Sequence, residues 1–396
     1  MFNGFRLGRV AGIDVQVDWS LLIIFTLVTF SLGAGVFPTW HPNWSPGLIW
    51  LTALVAALLF FASVLVHELS HALVGRLRGI DVKRITLFIF GGVAHMEREP
   101  EAWRAELWMA AVGPITSLIL GAVFLFLGGL AAGDVELDPE KPERMLASLG
   151  PVATLLLWLG PINIILGVFN LIPGFPLDGG RVLRAILWGV SHDLRLATRW
   201  ASRIGQLVAW IFIAVGVAMM FGARVPFFGT GLMSGLWLAF IGWFLNNAAL
   251  MSYRQLLVRE SLEDVPVSRI MQSHFVSVRP DMTISQFVDE HLMSSDQRAF
   301  PVMEADRFIG LVCLQDIRKL GRENWPQERV RDIMTPVSSL AQIAPGVDAA
   351  DALLMLSRNN VNQLPVVEHG QLRGLIRRED ILRLLSLYGD PRLAQV

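Results

Sequence analysis

Long apolar runs restrict the fold of this chain more than any other feature. Six stretches within the first 250 residues are long enough to cross the hydrocarbon core of a bilayer, which takes roughly 20 apolar residues. Because the backbone must satisfy its own hydrogen bonds in lipid, such stretches form helices. The sequence therefore predicts a polytopic α-helical membrane protein. The stretches lie near 18–36, 48–75, 105–131, 151–170, 204–222 and 230–250.

The composition agrees with a chain that lies mostly in lipid. Hydrophobic residues make up 53% of it and charged residues only 17%, whereas soluble chains are roughly a quarter charged. A net charge of −1 argues against nucleic acid as a partner. The single cysteine, Cys313, excludes an internal disulfide framework and favours a reducing compartment. Arg6 and Arg9 precede the first apolar run, but no small-residue cleavage site follows it, so we expect no signal peptide.

The distribution of Lys and Arg predicts the orientation. Six of them lie in 76–104 and five in 181–203, on the same side of the membrane as Arg6 and Arg9. The alternate loops hold at most two each. Because cytoplasmic loops carry an excess of basic residues, we expect a multi-pass plasma-membrane protein with its N-terminus and its C-terminal part in the cytoplasm.

After about residue 255 the composition becomes that of a soluble α/β domain, and an internal repeat appears. Phe300-Pro301-Val302 recurs as Leu364-Pro365-Val366, and the motifs around Met271 and Met334 correspond in the same way. A regular repeat of this kind indicates two copies of one small module packed together. The predicted domains are a membrane domain over 1–255, a linker over 256–265, and modules over 266–322 and 329–390.

A candidate metal motif lies near the cytoplasmic end of the second run. In His67-Glu68-Leu69-Ser70-His71, the two histidines are four residues apart, so they share one face of a helix and can bind one ion. Glu68 is placed to take a proton from a water on that ion. The pattern also occurs by chance on soluble helices, but ionisable residues inside an apolar run are costly and usually functional.

Asp178 is the candidate third ligand, which a catalytic zinc site needs besides an open position. It ends a stretch in which Pro173, Pro176 and several glycines break the fourth run. Irregular backbone at membrane depth is tolerated only in protein or beside a watery cavity. The second and fourth runs end on the same side, which allows Asp178 to meet the histidines. The alternative is a polar turn that caps the next helix.

Residues 82–97 predict a membrane-associated β-hairpin. An apolar strand leads to Gly91-Gly92, which is typical of a tight turn or bulge, and a second short strand follows. An exposed edge strand here can hold an extended substrate by strand addition, through Phe90, Gly91, Gly92 and Val93. The alternative is a structural hairpin packed on the helices.

Four motifs together resemble the site-2 protease family of intramembrane metalloproteases. They are HELSHALVGRLRGI, FGGVAHM at 90–96, Ala111-Val112-Gly113-Pro114 and FNLIPGFPLDGGR, and the resemblance covers roughly residues 1–250. It implies one zinc ion per chain, held by His67, His71 and Asp178.

The same resemblance implies a reaction and a substrate class. Glu68 would act as the general base of a zinc endopeptidase that cuts the transmembrane segments of single-span membrane proteins. Asn170 corresponds to an asparagine near the family's active site. Two interpretations stay open: Asn170 steadies the substrate carbonyl or its oxyanion, or it only hydrogen-bonds the broken backbone.

The C-terminal repeat resembles a tandem pair of CBS domains, which often sense adenine nucleotides. Asp316 and Asp380 occupy the positions that contact ribose in nucleotide-binding copies. Cys313 and Arg377 replace the expected hydroxyl residues, although Arg377 can approach a phosphate. Two interpretations stay open: an adenine-nucleotide site at Asp316, Arg377 and Asp380, or a degenerate module that serves for homodimerisation or docking.

A membrane transporter or channel with a regulatory CBS pair is the alternative function. CBS pairs occur on transporters, so the C-terminal part does not discriminate. An ion pathway needs polar residues at several depths, whereas His67, His71 and Asp178 cluster at one level. The sequence therefore favours the protease.

Overall fold

The computed structural model describes residues 4–80, 82–89, 91–96, 100–133, 146–226, 229–295 and 297–388. The chain divides into two compact units, Met1–Tyr253 and Arg254–Val396. Each unit is described by itself.

The first unit is a bundle of long apolar helices. Six helices in the described part of the chain are long and apolar enough to cross a membrane, which confirms the six runs seen in the sequence. The protein is therefore a multi-pass membrane protein. The spans are Ser20–Trp40, Pro46–Leu77, Trp103–Ala132, Pro151–Asn170, Leu194–Met220 and Leu232–Arg259.

The first span is interrupted by a π-helical segment, Leu32–Val36, and the last continues beyond the membrane unit. Much of the expected linker at 256–265 is therefore helical, since the last helix ends at Leu262. The helices of this unit are α1 (Ser20–Ser31), α2 (Phe37–Trp40), α3 (Pro46–Leu77), α4 (Trp103–Ala132), α5 (Pro151–Asn170), α6 (Asp178–Ser191), α7 (Leu194–Met220) and α8 (Leu232–Leu262).

Local sequence sets where these helices begin and end. The Ser45 hydroxyl accepts a hydrogen bond from the Leu48 N–H and Pro46 follows it, which is a favourable helix start. Helix α5 ends at Asn170 because Pro173 and Pro176 cannot continue it. The chain becomes helical again at Asp178.

A four-stranded sheet packs on the bundle, in the order β1-β2-β3-β4. The strands are β1 (Gly4–Val10), β2 (Ile13–Asp18), β3 (Val82–Phe88) and β4 (Gly91–Met96). β2 and β3 are parallel, and the other two pairs are antiparallel. The predicted hairpin is thus only half of the sheet.

The alternating residues Ile13, Val15 and Val17 of β2 are buried. Ile13 and Val17 share a cluster with Val64 and Ala72 of α3, so this face of the sheet packs on the helices. The sheet is thereby fixed against the helix that carries the HELSH motif.

The second unit contains two similar modules, as the repeat predicts. The hairpin of β5 and β6 pairs Val302 with Gly310, and that of β8 and β9 pairs Val366 with Gly374. Each hairpin has a register shift directly after that valine. The strands are β5 (Ala299–Glu304), β6 (Arg307–Cys313), β7 (Thr335–Pro336), β8 (Gln363–Glu368) and β9 (Gln371–Arg377).

Short helices surround these hairpins, and each module has its own apolar core. Phe287 and Phe300 meet edge to face in the first core, and Leu356 packs with Leu364 in the second. The α-helices are α9 (Val267–Ile270), α10 (Ile284–Phe287), α11 (Leu314–Ile317), α12 (Val330–Ile333), α13 (Ala349–Arg358) and α14 (Arg378–Tyr388). A π-helical segment (Val288–Leu292) follows α10, and 3₁₀ turns occur at Arg322–Asn324 and Val337–Ser339.

Candidate metal centre

Two buried histidines of α3 face each other one helical turn apart. The Nε2 atoms of His67 and His71 are 3.2 Å apart. Asp178, the first residue of α6, places its Oδ2 atom 3.1 Å from each of them. These three side chains form the one group of potential metal ligands found among the described residues.

The broken backbone between α5 and α6 brings Asp178 to the histidines. This turn is so tight that a β-carbon on Gly179 would lie 2.3 Å from the Leu171 carbonyl oxygen. One on Gly180 would lie 2.4 Å from the backbone of Gly174. Glycine is therefore required directly after Asp178.

The spacing of the three atoms fits a zinc ion. Tetrahedral zinc with bonds of about 2.0–2.1 Å holds its ligand atoms about 3.3 Å apart. The observed separations of 3.1–3.2 Å agree with that value. Two imidazoles and one carboxylate also make up a ligand set that catalytic zinc sites use, with one position left open.

Helix α4 orients both imidazoles through their other nitrogens. His67 Nδ1 lies 2.9 Å from the Ser117 hydroxyl, and His71 Nδ1 lies 2.5 Å from the Met109 carbonyl oxygen. A proton on each Nδ1 satisfies these contacts and leaves each Nε2 with a lone pair for a metal. Ser117 was not predicted from the sequence, where it is a single serine within an apolar run.

Gly113 of α4 lies directly against the two rings. A β-carbon there would be 2.1 Å from His71 Nε2 and 2.8 Å from His67 Nε2. This glycine belongs to the Ala111–Pro114 motif, for which the sequence offered no structural reason.

The three ligand candidates line an apolar cavity of about 990 Å³, and Glu68 lines it with them. Gly92 of β4 lies against Glu68, because a β-carbon on Gly92 would meet the Glu68 Cγ at 2.3 Å. Asn170 also lines the cavity, and its amide nitrogen donates to the Leu166 carbonyl.

The residues expected to bind substrate lie along the same cavity. Gly91, Gly92 and Val93 line it, whereas Phe90 lies outside the described residues. Among the described strands, β4 pairs only with β3, so its other edge has no strand partner. Apolar side chains of α1 and α8 form much of the remaining wall, among them Ile24, Leu27, Trp237, Phe240 and Phe244.

A buried ion pair connects α6 to α4. The Arg184 guanidinium donates to the Glu106 carboxylate through Nε, at 2.7 Å, and through Nη2. Arg181 lies 3.9 Å from the same carboxylate and lines the cavity. None of these three residues was predicted from the sequence as part of the site. The available signal was Glu106, an acidic residue at the start of an apolar run.

A cleft of about 630 Å³ lies between the two modules of the second unit, and Cys313, Asp316 and Arg377 line it. Asp316 accepts hydrogen bonds from the Cys313 N–H and thiol, and burial together with this carboxylate raises the pKa of the Cys313 thiol. The carboxylate of Asp380 is paired with Arg377, through Nε at 3.0 Å and Nη2 at 2.7 Å. This bond also raises the pKa of Arg377.

Known proteins share both parts of this architecture. Peptidase family M50 matches residues 55–214, and the CBS domain matches 267–323 and 330–387. Rip3 of Mycobacterium tuberculosis, named as a zinc metalloprotease, is 34% identical over 100% of this chain and 95% of its own length. The sll0528 protein of Synechocystis, also named as a zinc metalloprotease, is 32% identical over 98% of this chain and 96% of its own length.

A solved site-2 protease from Methanocaldococcus jannaschii is 27% identical and covers 63% of this chain and 95% of its own, with a TM-score of 0.40. Rip3 aligns with this chain from end to end, and the M50 match includes the whole candidate metal centre. The chain belongs to peptidase family M50, the site-2 proteases, and is a membrane zinc metalloprotease with tandem CBS domains.

Proposed function

We propose that the protein is an intramembrane zinc endopeptidase that cleaves transmembrane segments of single-span membrane proteins. His67, His71 and Asp178 are its proposed zinc ligands, and Glu68 is its proposed general base. The observation that carries this proposal is the convergence of three ligand atoms, within 3.2 Å of one another, in the wall of an apolar cavity between membrane spans.

Zinc, when bound, supplies a Lewis acid that acidifies water and polarises a carbonyl. Glu68 takes a proton from the attacking water while the new carbon–oxygen bond forms at the scissile carbonyl. It then delivers that proton to the amide nitrogen as the carbon–nitrogen bond breaks. Asn170 has two amide N–H groups, one of them bonded to Leu166, and the other is available for the substrate carbonyl or its oxyanion.

The edge of β4 is the proposed place where substrate binds. A helical segment must be unwound before its peptide bonds become accessible, and an unpaired strand edge compensates for the backbone hydrogen bonds that are lost. Gly91, Gly92 and Val93 offer this edge beside Glu68, and we assign Phe90 to it as well. The apolar wall of the cavity suits the side chains of a transmembrane segment.

The CBS pair is proposed to regulate the protease, either by binding an adenine nucleotide or by homodimerisation. The cleft is lined by four arginines and two acidic residues, and this excess of basic groups favours an anionic ligand. The arginines are Arg298, Arg318, Arg377 and Arg378, and the acidic residues are Asp316 and Glu379. Contact between Asp380 and a ribose requires Arg377 to release that carboxylate, for example to a phosphate. Asp316, Arg377 and Asp380 therefore form the proposed nucleotide site.

We assign residues 1–255 to the protease domain, 256–265 to the connection, and 266–322 and 329–390 to the two CBS domains. The N-terminus and the CBS domains are proposed to be cytoplasmic, on the basis of the basic residues in 76–104 and 181–203.

The test is cleavage of a model transmembrane substrate by the purified, zinc-loaded protein. Glu68→Gln should keep the metal and lose cleavage, because the amide cannot accept the proton. Glu101→Gln, an equivalent change at an exposed site, should keep both. A Glu68→Gln protein that still cuts would rule out this mechanism.

A further inference from the structure

Strand β1 forms the outer edge of the sheet and exposes large apolar side chains. Phe5 is 41% exposed, Leu7 62% and Val10 44%. The strand pairs with β2 on one side, and no other described strand lies beside it.

The pairing register shows which way two of these side chains face. Phe5 is opposite Val17, and Val10 is opposite Ile13. Residues directly opposite on antiparallel strands point to the same face of a sheet. Val17 and Ile13 are buried against the helices, so Phe5 and Val10 lie on the helix-facing side but beyond the part that the helices cover.

The opposite face of β1 is charged. Arg6 is opposite Gln16, and Arg9 is opposite Asp14. Arg6 lies 2.5 Å and Arg9 3.7 Å from the Asp14 carboxylate, and both arginine side chains are more than half exposed. β1 is therefore amphipathic, and its apolar face points to the side on which the membrane spans lie.

The apolar face of β1 continues into the lipid-facing surface of the first span. Trp19, 57% exposed, directly precedes α1, and its ring centroid is 5.4 Å from that of Phe5. Leu22 and Phe30 of α1 do not line the cavity and are 43% and 63% exposed. Trp side chains favour the level of the lipid headgroups, so Trp19 is suited to mark that level beside β1.

We propose that β1 lies in the membrane interface, with Phe5 and Val10 inserted between lipid headgroups and upper acyl chains. Arg6 and Arg9 face the water on the other side of the strand. Lipid is the occupant because the exposed apolar face continues the surface that the first span presents to lipid. This contact lies outside the active site and does not depend on the proposed cleavage mechanism.

The test uses neighbouring residues on opposite faces of the strand. In a Cys313→Ser protein, Val10→Cys and Arg9→Cys form one pair, and Phe5→Cys and Arg6→Cys a second. Each variant carries a polarity-sensitive fluorophore on its cysteine and is reconstituted, in full length, into phosphatidylcholine vesicles with and without nitroxide-labelled lipid.

The labels at positions 5 and 10 should emit at shorter wavelength and be quenched by nitroxide lipid more than those at 6 and 9. Equal, water-like emission at both faces in both pairs would overturn the proposal. If a second copy of the chain covers this face instead, quenching by lipid will be weak and the blue shift will disappear as vesicles are diluted to one protein each. That result would also overturn the proposal. If one variant misfolds, the other pair of variants still decides the test.

Discussion

At the scale of single residues, the proposed metal centre depends on groups that are not among its proposed ligands. Ser117 and the Met109 carbonyl fix the two imidazole rings from α4. Gly113 keeps the space in front of the rings clear, because any side chain there would occupy it. Partners of this kind set the tautomer and direction of a ligating histidine.

Ser117→Ala should lower zinc affinity, because His67 loses the hydroxyl that receives its Nδ1 proton. Loss of such a partner typically costs about 10- to 100-fold in affinity. Competition with a chelator measures the change. Ser63→Ala, at a buried serine of α3 that bonds to the Leu59 carbonyl, should leave affinity unchanged. Equal affinities in the two variants would contradict the role of Ser117.

Gly113→Ala should prevent zinc binding, because the added methyl group would lie 2.1 Å from His71 Nε2. The matched control is Gly129→Ala on the same helix, where a β-carbon meets nothing within 4 Å. Metal content by elemental analysis should fall in the first variant and stay at one zinc per chain in the second. Normal zinc in Gly113→Ala would show that the rings have room to move.

At the scale of elements, helix α6 must be held in place because it carries Asp178. Glu106 of α4 and Arg184 of α6 supply a buried connection, with Glu106 only 1% exposed. The Arg184 guanidinium also lies over the Phe175 ring, 5.4 Å from its centroid, in the turn that precedes α6. The Arg184 guanidinium therefore contacts both α4 and the turn that places Asp178, the proposed third ligand.

Arg184→Met should destabilise the protein strongly, since it leaves Glu106 charged, buried and without its main partner. Breaking one side of such a pair costs roughly 3–5 kcal/mol. Thermal unfolding in detergent measures the loss, and the double variant Glu106→Gln/Arg184→Met should regain part of it. Arg373→Met, which breaks an exposed pair with Glu368, should change stability little. A similar loss in both single variants would argue against a special role for Arg184.

The elements that the sequence predicts are those with a local signal. The six spans follow from continuous apolar runs. HELSH and Asp178 could be related because each lies at the end of a run, on the same side of the membrane. The sequence did not predict β1 and β2. Strand β2 is positioned by its pairing with β3, and two spans separate β2 from β3 in the chain. Ser117, Glu106 and Arg184 were missed for the same reason, as their roles exist only once α4 packs against α3 and α6.

At the scale of the whole molecule, the sheet constrains the topology. Strands β2 and β3 pair directly although the first two spans lie between them. Both hairpins must therefore lie on one side of the membrane. With six spans in the described part of the chain, the end of the last span lies on that side as well.

We predict that this side is cytoplasmic. In a Cys313→Ser protein, cysteines at the exposed positions Arg9 and Glu263 should react with a membrane-impermeant maleimide only after cells are opened. Asn43→Cys, between the first two spans, should react in intact cells. The reverse pattern would mean that the whole molecule is inserted the other way round.

The distance along the chain between His67 and Asp178 has a consequence for biosynthesis. When the ribosome has made the two histidines, Asp178 is still more than a hundred residues away, and four spans must be threaded before it can reach them. Until β3 has been made, strand β2 of the N-terminal hairpin has an unpaired edge, which is open to pairing with other chains. A nascent chain therefore has no complete metal centre. The proposed cleavage must therefore wait until at least four of the six described spans have been made.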